Sequence, residues 1–172
     1  DFNSKANIEK IRGIYIPFWL YDFKVDGDLN LDGTRTHTTS TPDMIYIKTD
    51  HYKLYRNVIM NFSKVPVDGS TRFNNDIMNS IEPFNYDEMV EYNHAYLSGF
   101  LAERYDVDGD DVINEAQERA LESSRNKVIN DITGYASKSV TEDTLQANVT
   151  SKKYALLPVW MVNVKYEDKY YI

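Results

Sequence analysis

The sequence predicts an α+β fold: antiparallel sheet built from two copies of one strand-hairpin unit, with a helical segment, about residues 74–132, inserted between them. Three observations predict it. First, Ile14–Val25 (IYIPFWLYDFKV) returns near the end of the chain as Leu156–Tyr166 (LLPVWMVNVKY), matching Pro17 with Pro158, Trp19 with Trp160 and Lys24 with Lys165. These are the only two tryptophans, each two residues after a proline, and the pattern reads as an internal repeat. Second, strand-like stretches come first, helix-like ones follow, and strand-like ones return, joined by short turns. That order suits α+β rather than alternating βαβ. Third, the chain holds 14 tyrosines, a residue that favours half-buried strand faces where the ring packs and the hydroxyl stays wet.

Taken in order, Asn3–Arg12 (NSKANIEKIR) reads as a short helix with Ser4 as N-cap and Gly13 as its stop. Ile14–Val25 alternates Ile14, Ile16, Phe18 and Leu20 against Tyr15, Trp19, Tyr21 and Phe23. Apolar residues on both faces predict a central strand covered on both sides. Pro17 has no N–H for a ladder and is expected at the strand's start or at a bulge. Asp26-Gly27-Asp28 reads as a hairpin turn, with Leu29–Thr39 returning as a Thr-rich strand and Thr38–Pro42 as a loop. Asp43–Tyr55 and Val58–Val65 read as the next hairpin, turning at Arg56-Asn57.

After the break at Pro66–Thr71 the period changes. Asn74–Ile81 reads as a short helix stopped before Pro83, and Tyr86–Tyr105 as containing a helix around HAYLSGFLAERY. Asp110–Ile132 carries Val112, Ile113, Ala116, Ala120, Leu121, Val128, Ile129 and Ile132 on one face. Asp108 and Asp110 are its expected caps and Gly134 its end. Ser137–Thr141, Thr144–Thr150, Tyr154–Tyr166 and Lys169–Ile172 read as strands. Both tryptophans are expected to be largely buried, in equivalent positions of one shared core.

A chain of 172 residues suits a single α+β domain. The formal charge of −8, with basic residues scattered among acids, disfavours nucleic-acid binding through this domain. With no cysteine there is no disulfide, thiolate nucleophile or Cys-ligated metal. No apolar run approaches a membrane span, and there is no signal-peptide pattern. The chain stops inside a strand-like stretch, so it is expected to be a fragment of a longer protein.

Four stretches, NIEKIRGIYIPFWLYDF, PFNYDEM at 83–89, HAYLSGFLAERYDVD at 94–108 and YALLPVWMVNVKYEDKYY, together resemble the middle region of bacterial TFIIB-type zinc-ribbon proteins of Firmicutes and their relatives. The resemblance spans nearly the whole chain. It implies a zinc ribbon before this region and a hydrophobic, membrane-anchoring tail after it, both absent from this sequence. It also implies a cytoplasmic location, at the inner face of the cell membrane in the full-length protein. The ribbon's zinc ligands have no match here. Proteins of this kind often carry a replication-restart helicase label, but this chain has no GxxxxGK[ST] phosphate loop.

No catalytic, cofactor-binding or metal residues are assigned. Asp106-Val107-Asp108-Gly109-Asp110 has the look of a calcium loop, yet its sixth position is Asp111 rather than Gly and its twelfth is Gln117 rather than Glu. An acidic lead-in to a helix N-terminus explains the same residues, and weak cation binding by 106–111 stays open. His37, His51 and His94 lack ligand spacing. Serines lack a GxSxG elbow, and Asp87, Glu88 and Glu103 read as solvated helix charges. Asn61 and Asn148 head sequons that matter only in a secretory pathway. Gly99, on a helix face, is expected to admit another element closely. The reading that follows is a non-catalytic interaction or scaffold module with an unknown protein partner and no cofactor. The alternative is a hydrolase whose carboxylates are assembled by the fold. A broad exposed aromatic patch favours the first; a large apolar pocket with converging acids favours the second.

Overall fold

The computed structural model describes residues 6–72, 78, 84–166 and 169–171. Its strands are β1 (Ala6–Ser40), β2 (Ile45–Asp68), β3 (Leu101–Ala102), β4 (Ser137–Asp143), β5 (Gln146–Tyr166) and β6 (Lys169–Tyr171), with the helix α1 at Ile113–Asp131. The α+β class therefore holds, with sheet dominant. β2, β1, β5 and β6 are neighbours in that order, and β3 and β4 also pair with β1. The sheet is mixed rather than antiparallel throughout. β4 runs antiparallel to β1 and β6 antiparallel to β5, but β3 runs parallel to β1 through Ile14–Leu101 and Tyr15–Ala102.

The chain divides into two compact units. The first holds Asp1–Leu20, Pro66–Val112 and Lys152–Ile172; the second holds Tyr21–Val65 and Ile113–Ser151. β1 feeds both, and its two-sided apolar pattern is explained by how it does so. Up to Leu20 the buried residues fall on even positions (Ile14, Ile16, Phe18, Leu20), with Pro17 buried beside them. From Tyr21 they fall on odd positions (Tyr21, Phe23, Val25, Leu29, Leu31). Because side chains alternate along a strand, each set serves its own unit's core. In the first unit, Ile14, Ile16, Phe18 and Leu20 cluster with Met78, Ala155 and Leu157, and with Phe84, Tyr86, Val159 and Met161 at the margin. Segments of both PxW strands thus meet in one core.

In the second unit α1 buries Ala116, Ala120, Ser124 and Val128, with Ile132 just beyond. Ser124 sits inside that face by returning its hydroxyl to the Ala120 carbonyl, 2.8 Å away. The helix begins at Ile113, after a turn in which Asp108 Oδ1 accepts from the Asp110 N–H at 2.9 Å. Beyond its end, Gly134 has φ +81°. The Lys138 ammonium donates to the Ile129 and Ile132 carbonyls at 2.7 and 2.8 Å, supplying partners that a helix C-terminus otherwise lacks.

Several expectations are corrected. Residues 6–12 are extended in β1 rather than helical; Asn3 to Lys5 lie outside the described residues. Asp26-Gly27-Asp28 does not turn, because β1 continues through it for 35 residues. Gly27 instead takes φ +144° where the backbone of Thr144 and Leu145 crowds it, so the glycine serves a local distortion with no room for a Cβ. Arg56-Asn57 likewise lies inside β2, whose irregularity comes at Lys64 (φ +58°), where the backbone N–H donates to Asp22 Oδ1 at 2.7 Å. The hairpin between β1 and β2 turns at Thr41–Met44, within and just past the expected loop.

Pro17 sits inside β1 rather than at its start. Its carbonyl accepts from the Gly69 N–H at 2.9 Å, while two residues earlier the Tyr15 carbonyl accepts from Glu103. The chain alongside Pro17 is thus a loop that donates to it and asks for no donor back. HAYLSGFLAERY forms one 3₁₀ turn, His94–Leu97, and then β3, not a helix. The expected helix over Asn74–Ile81 lies outside the described residues except Met78, which is helical and buried.

Candidate interaction surface

The first unit carries two trios of aromatic rings, one on each PxW tryptophan. Trp19 meets Tyr105 and Tyr154 edge-on, with centroids 5.5 and 5.3 Å away, and those tyrosines meet each other at 5.5 Å. Phe100 meets Tyr15 at 5.4 Å and Trp160 at 5.6 Å, again edge-on. Edge-to-face contact suits the ring quadrupoles and holds each ring in place. Trp19 is half-buried. Its indole N–H donates to the Val107 carbonyl at 2.9 Å, and Gly109 lies flat against its ring, where a Cβ would come within 2.8 Å. Lys152 caps the same ring at 5.6 Å while pairing with Asp110 at 2.6 Å. On the second trio, Gly13 makes room for the Phe100 ring, which a Cβ there would strike.

These anchors hold the loop between Phe84 and Val112, and the loop leaves much apolar surface in water. Met89, Val90, Tyr92, Tyr96, Leu101 and Tyr105 are all exposed. Trp160, expected to be buried, is 64% exposed, which overturns the equivalence expected of the two tryptophans. The reason lies in what covers each strand. Trp19 has the Val107–Gly109 loop over it, whereas among the described residues Trp160 meets the Phe100 edge, with Gly13 beside it. Burial, with Tyr105 and Tyr92 alongside, pushes the Tyr154 phenol up. Two Asx turns shape the loop: Asn85 accepts from the Asp87 N–H at 3.3 Å, and Asn93 accepts from the Ala95 N–H at 2.9 Å.

The residues singled out from sequence are dispersed. Asp106 of the acidic loop accepts from the Thr71 N–H at 2.8 Å and from its hydroxyl at 2.7 Å, and these bonds hold its carboxyl below the usual range. Asp110 is taken by Lys152, and Glu103 pairs with Arg72 at 2.7 Å. His37 lies 3.7 Å from Asp50, His51 is exposed on β2, and His94 Nδ1 lies 3.0 Å from the Tyr92 hydroxyl. Among the described residues no three His, Asp or Glu side chains gather as a metal would require. Asn61 is exposed, and Asn148 donates to Asp26 at 3.2 Å. Gly99 has φ +84° and, its chain neighbours aside, no atom of the described residues within 4 Å of where a Cβ would stand, so the close approach expected there belongs to Gly13 and Gly109 instead.

A shallow depression of about 200 Å³ in the second unit is lined by Arg56, Val58, Met60, Val128, Asp131 and Ile132. It is smaller than the roughly 300–1,000 Å³ typical of ligand sites. Among the described residues no helix is long and apolar enough to cross a membrane.

The chain is 31% identical over 166 residues to an uncharacterized protein, YdjG, of Bacillus subtilis (strain 168). The match takes in 96% of this chain and 49% of that protein, so the chain spans about half the length of the curated relative it matches. No family model and no solved structure matches it. The aromatic surface is hidden from sequence reasoning because HAYLSGFLAERY predicts a helix with a packed face. The run from Met89 to Tyr96 gives no warning, since Met89, Tyr92 and Tyr96 fit a helical spacing while Val90, Tyr92 and Tyr96 fit a strand period.

Proposed function

We propose that the chain is a non-catalytic interaction module that binds a protein partner through the aromatic surface of its first unit. The observation that carries this is Trp160, an indole fixed by the Phe100 ring yet 64% exposed. Fixed, exposed aromatic rings are the anchors that protein interfaces favour, since little side-chain freedom remains to be lost on binding. Tyr105 and Tyr154, braced against Trp19, extend the same chemistry. The repeat reading also belongs here: the two PxW strands are copies whose tryptophans have diverged, one pinning a loop and the other left for a partner. The larger context, a TFIIB-type zinc-ribbon protein held at the cytoplasmic face of a membrane by a tail, rests on the motif resemblance alone.

Affinity capture from a native-host lysate tests the proposal, comparing the wild-type chain with Trp160→Ser and Tyr105→Ser variants of unchanged far-UV circular dichroism. A partner retained by the wild type and lost by both variants is expected. Equal capture by all three chains would overturn the reading.

A further inference from the structure

Charge along the first unit is segregated in a way that names the partner's chemistry. From Phe84 to Ala102 there is no lysine or arginine, while Asp87, Glu88 and Glu91 supply three carboxylates of a chain whose formal charge is −8. Every residue from Asp87 to Tyr96 is exposed. Within that run Val90, Tyr92 and Tyr96 are each more than half exposed, interleaved with Asp87, Glu88 and Glu91. One Asx turn at Asn85 precedes the run and another at Asn93 lies within it, and together they hold its backbone. Glu88 is held by the Asn85 amide at 2.6 Å, which leaves its negative charge in place.

Resting on the interaction reading above, we infer that this stretch docks a cationic amphipathic segment of a partner protein, one carrying Lys or Arg beside large aliphatic or aromatic side chains. Two features converge on that class. Apolar side chains interleaved with carboxylates match a segment that interleaves apolar groups with cations, and charge complementarity selects the partner while apolar contact holds it. The same carboxylates repel the other surfaces that exposed tyrosine and valine suit. An anionic bilayer and a nucleic-acid backbone both bring like charge to Asp87, Glu88 and Glu91.

The probe is a fluorescein-labelled 18-residue peptide of leucine and lysine at helical spacing, titrated by fluorescence anisotropy. A lysine–serine peptide of equal charge and a glutamate–leucine peptide serve as comparisons. The wild-type chain is expected to bind the leucine–lysine peptide at least about tenfold more tightly than either comparison peptide, and more weakly as salt rises. Val90→Ser/Tyr92→Ser, which keeps every charge, and Glu88→Lys/Glu91→Lys, which keeps the apolar groups, should each weaken it about tenfold or more. Tyr46→Ser/Ile47→Ser, on the β1–β2 hairpin, should leave it within about twofold, the spread of an uninvolved site. Each variant's melting curve reports its fold. Equal binding of the lysine–serine peptide, or equal loss in the hairpin variant, would overturn the inference by reducing it to bulk charge. Failure of the peptide to bind while Trp160-dependent capture persists would overturn this inference alone; failure of both would overturn the interaction reading as well.

Discussion

The two tryptophans should differ sharply in what they contribute to stability. Replacing Trp19 by Ala removes a half-buried ring packed on Tyr105, Tyr154 and Gly109 and takes away the donor to the Val107 carbonyl. Truncating a large buried aromatic costs about 3–5 kcal/mol. Trp19 falls near the lower end of that range from packing, with about 1 kcal/mol more for the lost hydrogen bond. Trp160 has 64% of its surface in water, so roughly a third of the full value, about 1–1.5 kcal/mol, is at stake. With a urea m-value of about 2 kcal/mol/M, the midpoint should fall by about 2 M for Trp19→Ala and about 0.6 M for Trp160→Ala. Far-UV circular dichroism reads both without depending on either indole. Equal midpoint shifts, or a larger one for Trp160→Ala, would refute the reasoning. Single-tryptophan chains add a second readout: Trp19→Phe should leave a red-shifted emission quenched readily by acrylamide, and Trp160→Phe a blue-shifted, protected one.

Gly27→Ala should destabilise the chain by about 2 kcal/mol or more, since a Cβ would stand 2.6 Å from the Thr144 carbonyl oxygen at an already positive φ; a thermal melt reads it. Ser124→Ala should change stability by less than about 0.5 kcal/mol, because the hydroxyl only returns to its own helix, and a urea titration checks it. Asp106 is held below its usual range by the Thr71 hydroxyl and N–H, so its contribution is present above the unfolded carboxyl's pKa and lost as pH falls through the lower folded value. Asp106→Asn should therefore flatten the loss of stability seen on acidification below about pH 4, followed by pH-dependent melting. Millimolar calcium should leave the melting temperature unchanged; a rise of several degrees, abolished by Asp108→Ala, would reveal a cation site in 106–111.

Much of the sheet was legible because β-branched and aromatic alternation is a local signal. β1's core residues and the α1 face through Ala116, Ala120 and Val128 follow from spacing alone, but Thr144 lies between β4 and β5 rather than in a strand, and β5 runs unbroken where two strands, Thr144–Thr150 and Tyr154–Tyr166, are expected. The errors share a physical cause. Asp-Gly and Arg-Asn predict turns because those residues tolerate turning, but tolerance is not a requirement, and both β1 and β2 carry on through them. The same strands hid the two units, since apolar residues on both faces of β1 looked like one strand covered twice. The buried parity in fact switches at Leu20–Tyr21. Residues 94–105 carry a local pattern that predicts helix, whereas the Phe100 ring on Gly13 and the pairing of Leu101 with Ile14 make the local conformation a tertiary decision. Exposure at Trp160 was beyond reach for a related reason, because it depends on which loop lies over each strand.

The chain passes between its two units at four points, after Leu20, Val65, Val112 and Ser151, and three of these fall inside strands. Neither unit is therefore a contiguous length of gene. A single recombination breakpoint anywhere from β1 to β5 leaves at least one unit without strands it needs, and no truncation at one site releases either unit whole. Descendants of this sequence must inherit the stretch from β1 through β5 as a block.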